Sequence, residues 1–186
     1  IVLISGLLVG SAAVLSGQAV AQESGYAAGD GSASNPYEIA NWTHLNNTRD
    51  NLDANFTLVN DLNSSTAGYD SVASSSANGG KGFVPIGNAS TAFSGTFEGS
   101  GHTISDLYID RPNTYSIGLF GGMSGTVNDT ALENVSVTGY YYVGGLVGYN
   151  FDGSVKQSYA TGNVSGNKYV GGLVGYNSYS SVNQSY

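Results

Sequence analysis

The sequence predicts an all-β fold built as a parallel β-helix, with a short helix-containing cap at its N-terminal end. Three observations carry this. The stretch "YYVGGLVGYN" at 141–150 returns as "KYVGGLVGYN" at 168–177, displaced by 27 positions. Leu119, Leu146 and Leu173 recur at the same interval, each followed by an apolar residue and glycine. From Phe83 onward the chain consists of short apolar pieces cut by glycine, as in "FVPIG", "SIGLFGG" and "ENVSVTG". A period of 20–50 residues made of short strands signals a solenoid or a propeller. A propeller blade needs four strands in about 40 residues or more, so a 27-residue unit is too short for one. It is long enough for one β-helix coil of two or three strands plus turns. Such a unit cannot bury its apolar face alone and stacks like residues on like residues in the next coil.

The elements follow in chain order. "IVLISGLLVGSAAVLSGQAVA" at 1–21 reads as an export signal on a chain clipped at its start, with cleavage between Ala21 and Gln22 after the small-x-small pattern Ala19-Val20-Ala21. A retained membrane anchor is the rival, since about 20 apolar residues span a bilayer. Residues 22–36 are small, polar and turn-rich and read as a linker. Residues 37–82 read as the cap and a surface loop. "YEIA" at 37–40 is a strand candidate, and Asn41 is placed to cap a helix whose face is Trp42, Leu45, Arg49 and Leu52. "NFTLVNDL" at 55–62 alternates as a strand would, and the Ser/Gly/Asn-rich stretch 63–82 reads as a long loop.

Residues 83–186 read as the β-helix proper. Matching "LENVSVTG" at 132–139 to "VKQSYATG" at 155–162 places Val135 on Ser158, Ser136 on Tyr159 and Val137 on Ala160. "SVKQSY" at 154–159 matches "SVNQSY" at 181–186. Alternation then turns Val155, Ser158, Ala160 and Val164 inward and Lys156 and Tyr159 outward. Stacked like residues predict ladders of Asn, Ser and Tyr.

Composition narrows the function. Only 10% of residues are charged, against 28 glycines and 14 tyrosines, so the surface is chiefly Ser, Thr, Asn and Tyr. The net charge of −8 sets 13 acids against Arg49, Lys81, Arg111, Lys156 and Lys168. No basic cluster exists to neutralise phosphates, which excludes nucleic acid as a partner. With no cysteine, disulfides, thiolate metal sites and a cysteine nucleophile are excluded. Nine Asn-x-Ser/Thr sequons, at Asn41, Asn46, Asn55, Asn63, Asn88, Asn128, Asn134, Asn163 and Asn183, suit an exported and glycosylated chain, or equally an Asn-rich turn copied by the repeat.

"GLVGYN…GSVKQSYATGNVSG" resembles the GLUG motif, a repeat of bacterial and archaeal surface proteins. "FSGTFEGSGHTISDLYI…GLFG" is similar to the segment introducing such repeats, and "NPYEIANWTHLNN…LVNDLN" to their N-terminal region, so the likeness covers about 33–186. It implies a right-handed coil of the filamentous-haemagglutinin adhesin type and a secreted or cell-surface setting. The chain stops at "NQSY" in mid-repeat, so further coils, an anchor or a catalytic domain are expected beyond it.

The expected function is a non-catalytic adhesion, display or spacing module. Its candidate binding residues are three outward tyrosine columns: Tyr115, Tyr142 and Tyr169; Tyr149 and Tyr176; Tyr159 and Tyr186. The expected partner is a surface polysaccharide or a host or neighbour-cell protein, with membrane contact only through the N-terminal signal or a missing anchor and no cofactor. The alternative is an accessory region of a larger secreted enzyme, either a polysaccharide-processing one or an immunoglobulin-cleaving metallopeptidase, as the resemblance implies. Glu98, His102, Asp106 and Asp110 are the acid–base candidates, though the zinc signature H-E-x-x-H is absent and His44 and His102 are the only histidines. Asp61, Asn63 and Asp70 supply hard oxygens for calcium but lack both EF-hand and nonapeptide patterns.

Overall fold

Sixteen short parallel strands wind through a computed structural model that describes residues 25–186. The expected export signal and its Ala21–Gln22 junction lie outside the described residues. Strand β1 (Tyr37–Ile39) leads into helix α1 (Trp42–Asn47), a 3-10 turn at Thr48–Asp50 and β2 (Asn55–Leu58). Two single-turn helices, α2 (Tyr69–Val72) and α3 (Ala77–Gly80), precede β3 (Thr96–Glu98). The next circuit holds β4 (Thr103–Ser105), β5 (Tyr108–Asp110), β6 (Tyr115–Ile117) and β7 (Phe120–Met123). A second follows through β8 (Thr126–Asn128), β9 (Ala131–Thr138), β10 (Tyr141–Gly144) and β11 (Val147–Phe151). A third runs through β12 (Ser154–Lys156), β13 (Tyr159–Ser165), β14 (Lys168–Gly171) and β15 (Val174–Ser178), and β16 (Ser181–Asn183) opens one more.

From β3 onward successive circuits supply strands to four parallel sheets, ordered β1-β2-β3-β8-β12-β16, β4-β9-β13 with β5 also on β9, β6-β10-β14 and β7-β11-β15, while β1 and β2 extend the first sheet alone. The protein is a parallel β-solenoid with four strands per coil, where two or three were expected. Inward positions repeat in register. Phe56, Phe97, Val127 and Val155 form one buried column, and Ile117 and Val143, Phe120 and Val147 form two more. Leu119, Leu146 and Leu173 lie in the interior, and backbone hydrogen bonds join their corners from coil to coil: Leu119 N–H donates to Gly145, and Leu146 N–H to Leu173. At about 1.5–3 kcal/mol for each large apolar side chain buried, these columns supply the main cohesion of the stack. The predicted like-on-like ladders are present: Asn150 Nδ2 donates to Asn177 Oδ1 at 2.8 Å, and the Ser154 and Ser181 hydroxyls meet at 2.9 Å.

Three readings of the sequence are corrected. The solenoid does not begin at Phe83: β1 and β2 already stack in the first sheet, with Tyr37 beside Phe56 and Phe56 beside Phe97. The stretch 63–82 is more than a surface loop. Val72, Ala73 and Ala77 are buried, Trp42 Nε1–H donates to Asn63 O at 2.9 Å, and Trp42 packs on Tyr69 and Phe83. Part of the expected linker is also packed: Tyr26 stacks on Tyr37 at 4.2 Å, and Ala27 N–H donates to Glu38 O. Helix α1 starts as the pattern indicates, with the Asn41 side chain accepting from His44 N–H and Trp42 and Leu45 buried, but it ends at Asn47, so Arg49 falls in the 3-10 turn and Leu52 beyond it.

The register of the second half-repeat also differs. Val135 pairs with Gly162 and Val137 with Val164, while Leu132 pairs with Ala160. Two residues of β9, Glu133 and Asn134, oppose the single Thr161 of β13, and this bulge breaks any match made by letters alone. The facing is nonetheless as expected: Val155 and Ser158 are buried, and Lys156 is exposed.

Candidate functional site

The prominent surface feature is an aromatic face spread over the sheets β6-β10-β14 and β7-β11-β15. Tyr142 and Tyr169 occupy one corner position in successive coils, both left-handed at φ 54° and 55°, and their rings stack at 5.3 Å. Tyr149 stacks on Tyr176 at 5.6 Å and on Tyr142 at 5.3 Å. Tyr142 also lies 5.0 Å from Tyr176. The two expected columns are therefore one four-ring cluster, because the corner between β10 and β11 is so tight that side chains from both sheets meet outside it. Crowding raises the Tyr142 phenol above its ordinary pKa, through desolvation first and its ring neighbours second.

Tyr115 is not in this column. It pairs with Tyr141, stacking at 5.2 Å, while Ser116, left-handed at φ 57°, takes the position of Tyr142. The first copy has one glycine, Gly118, at the corner where the next has Gly144 and Gly145, so matching tyrosine to tyrosine slips by one residue. Lys168 sits above Tyr141 in register, its ammonium 4.9 Å from the Tyr169 centroid and 5.8 Å from that of Tyr141. Tyr140, Tyr141, Phe151 and Tyr179 also belong to this surface. The run "YYY" at 140–142 was the one available signal for the first two. The third expected column is present on another sheet: Tyr159 and Tyr186 stack at 5.4 Å with planes 8° apart, and Tyr159 donates to Glu133 Oε1 at 2.7 Å. That hydrogen bond raises the Tyr159 phenol, since it stabilises the protonated form.

The acid–base candidates are held apart by local structure. His102 Nδ1 lies 3.2 Å from Asp61 Oδ1, and that oxygen also accepts from Thr103 N–H. These contacts, the Thr103 amide first, lower the Asp61 carboxyl below the ordinary range. Asp106 accepts from Asn134 Nδ2 and from Ser64 N–H and is lowered likewise. Glu98 accepts from Asn128 Nδ2 at 2.8 Å, and the Asp110 backbone N–H donates to Lys81 O. The carboxylates of Asp61, Glu98 and Asp106 tack one coil to the next or a loop to a coil, whereas Asp110 is held through its backbone amide.

Among the described residues, no three His, Cys, Asp or Glu side chains gather where they could hold a metal. Of the calcium candidates, Asp61 is engaged as above, Asn63 Oδ1 closes a turn on Ser65 N–H, and Asp70 lies in the first turn of α2. The sequons divide similarly. The side-chain amides of Asn55, Asn128 and Asn134 donate within the protein, that of Asn41 faces His44, and Asn46 accepts from Arg49. Asn88, Asn163 and Asn183 are exposed.

Comparison with known proteins matches the GLUG motif to residues 139–165, a span that encloses β10 to β13 and therefore one circuit of the solenoid. The chain is 39% identical over 144 residues to halomucin of Haloquadratum walsbyi, covering 74% of this chain and 2% of that protein. It is 36% identical over 143 residues to a protein of Evansella cellulosilytica provisionally named a Gly-rich membrane protein, covering 70% and 15% respectively. The chain thus spans a small part of the length of both relatives. A solved structure from Bacteroides ovatus, provisionally called an immunoglobulin A1 protease, aligns with a TM-score of 0.43 at 19% identity, over 84% of this chain and 70% of that one. No helix among the described residues is long and apolar enough to cross a membrane. The motif is laid over a complete circuit whose period repeats along the stack, so residues 139–165 carry the GLUG motif within a chain folded as a parallel β-solenoid.

Proposed function

We propose that this segment is a non-catalytic module exposed at the cell surface or secreted, serving adhesion, display or spacing. The aromatic face carries the reading: Tyr115, Tyr141, Tyr142, Tyr149, Tyr169 and Tyr176 form a continuous patch over two sheets. Rings with polar tips suit many weak contacts along a polymer or partner surface. Contacts repeated along an axis gain affinity through multivalency. The names of the relatives, a halomucin and a membrane protein, support a surface setting. The ties that hold Asp61, Glu98 and Asp106 to neighbouring coils or loops support a reading without acid–base chemistry in this segment.

The test is to screen the purified chain against glycans and matrix proteins for binding, and against polysaccharides and peptides for turnover. Binding that strengthens in variants with duplicated coils, without turnover, is the expected result. Turnover that disappears on Asp106→Asn or His102→Ala would overturn the reading.

A further inference from the structure

The aromatic column of the β7-β11-β15 sheet stops one coil short of the bottom of that sheet. Tyr176 lies on Tyr149, but the residue beneath Tyr149 is Gly122. Asn150 lies on Met123, so Phe151 comes above Ser124. Where the upper coils present rings, the lower one presents a glycine and a small hydroxyl. A loop over 87–92 closes the side of this step. It is held by the Asn88 side chain, which accepts from Ser90 N–H at 2.8 Å and Thr91 N–H at 2.9 Å. Gly122 has no room for a side chain, because an added Cβ would lie 2.2 Å from Asn88 O. The result is a slot of about 230 Å³ lined by Ala89, Ala92, Met123, Ser124, Tyr149 and Phe151. Tyr149 and Phe151 form its roof as near-parallel rings 6.1 Å apart, inclined by 23°.

We propose that this slot binds one uncharged pyranose ring of a surface glycan. The assignment rests on the surface-module reading and gives it a partner class. The volume is below the roughly 300–1,000 Å³ of pockets for drug-sized ligands, and suits a single ring. The two aromatic faces match the C–H face of a sugar, and Ala89, Ala92 and Met123 complete an apolar lining. Ser124 is exposed, and its hydroxyl makes no hydrogen bond within the described residues, which leaves it available to a sugar hydroxyl. Charge decides against acidic sugars: no lining residue is charged, the neighbouring Asp152 is exposed, and the whole chain carries −8. A carboxylate entering the slot would meet repulsion and no cation.

The test uses the full chain and saturation-transfer NMR with maltohexaose, cellohexaose, mannohexaose and, as the charged comparison, an oligogalacturonate. At least one neutral oligosaccharide is expected to show transfer to its C–H protons, with the oligogalacturonate weaker. Phe151→Ala, at a side chain 45% exposed and so removable without opening the core, is expected to weaken binding about five- to tenfold. Ser124→Phe is expected to abolish it by placing a ring in the slot, with the circular dichroism spectrum unchanged. No transfer to any neutral oligosaccharide, or equal binding of the oligogalacturonate, overturns the assignment. Neutral binding that survives both substitutions also overturns it, while leaving the surface-module reading in place, because that reading fails on turnover and not on the location of the contact.

Discussion

At the scale of single residues, the polar side chains of this surface act as ties between coils, and Asp106 shows the cost of breaking one. Its carboxylate accepts from Asn134 one coil on and from Ser64 on the packed segment before the next strand, so its folded pKa is lowered. A carboxyl lowered on folding stabilises the native state above its unfolded pKa, near 3.9, and that contribution is lost as pH falls through the folded value. The thermal midpoint is therefore expected to fall modestly as pH drops below about 4. In Asp106→Asn the fall is shallower, since the tie no longer titrates. Asparagine tolerates the left-handed backbone of this position, φ 64°, so the comparison is not confounded by strain. Parallel curves for the two proteins would assign the acid sensitivity to other groups. The surface exposure of this carboxyl makes the effect modest.

At the scale of elements, the corners set the limits. Gly145 and Gly172 hold the same corner in successive coils, and Gly145 N–H donates to Gly172 O. A Cβ on Gly145 would lie 2.5 Å from that oxygen, whereas one on Gly172 would meet nothing within 4 Å. Gly145→Ala is expected to destabilise by about 1–3 kcal/mol, because one coil must lift from the next. Gly172→Ala is expected to be nearly neutral. Urea unfolding of the two variants checks this, and equal costs would mean that the corner does not bear the stacking contact. The same corners explain the aromatic face. Ser116, Tyr142 and Tyr169 share a left-handed conformation at this corner; the serine is buried, and in the other two coils the residue there is a ring at the surface.

At the scale of the whole molecule, stability is additive along one axis. In a stack where each coil touches only its neighbours, the net stability is a sum of coil and interface terms. Val143 and Val155 are fully buried, while their counterparts in the last coil, Val170 and Val182, are 42% and 38% exposed. Appending a copy of residues 160–186 after Tyr186 supplies partners for both. The thermal midpoint is expected to rise by several degrees, in keeping with about 1–2 kcal/mol of added burial. An unchanged midpoint would show that the coils do not couple through these columns.

Periodicity and composition were enough to determine the parallel solenoid, its inward leucines, the capped helix at Asn41 and the wealth of outward tyrosine. These properties follow from a repeat that must bury its apolar face against its own copy, so they are written locally and recur in the letters. The register of β9 on β13, the one-residue slip at Gly118, and the folding of 25–36 and 63–82 onto the stack were decided by tertiary structure. So was the merging of two tyrosine columns into one cluster, and so was the slot beneath Tyr149 and Phe151. Each of these depends on hydrogen bonds and contacts between residues far apart in the chain, and a bulge or a dropped glycine shifts them without leaving a mark in the period.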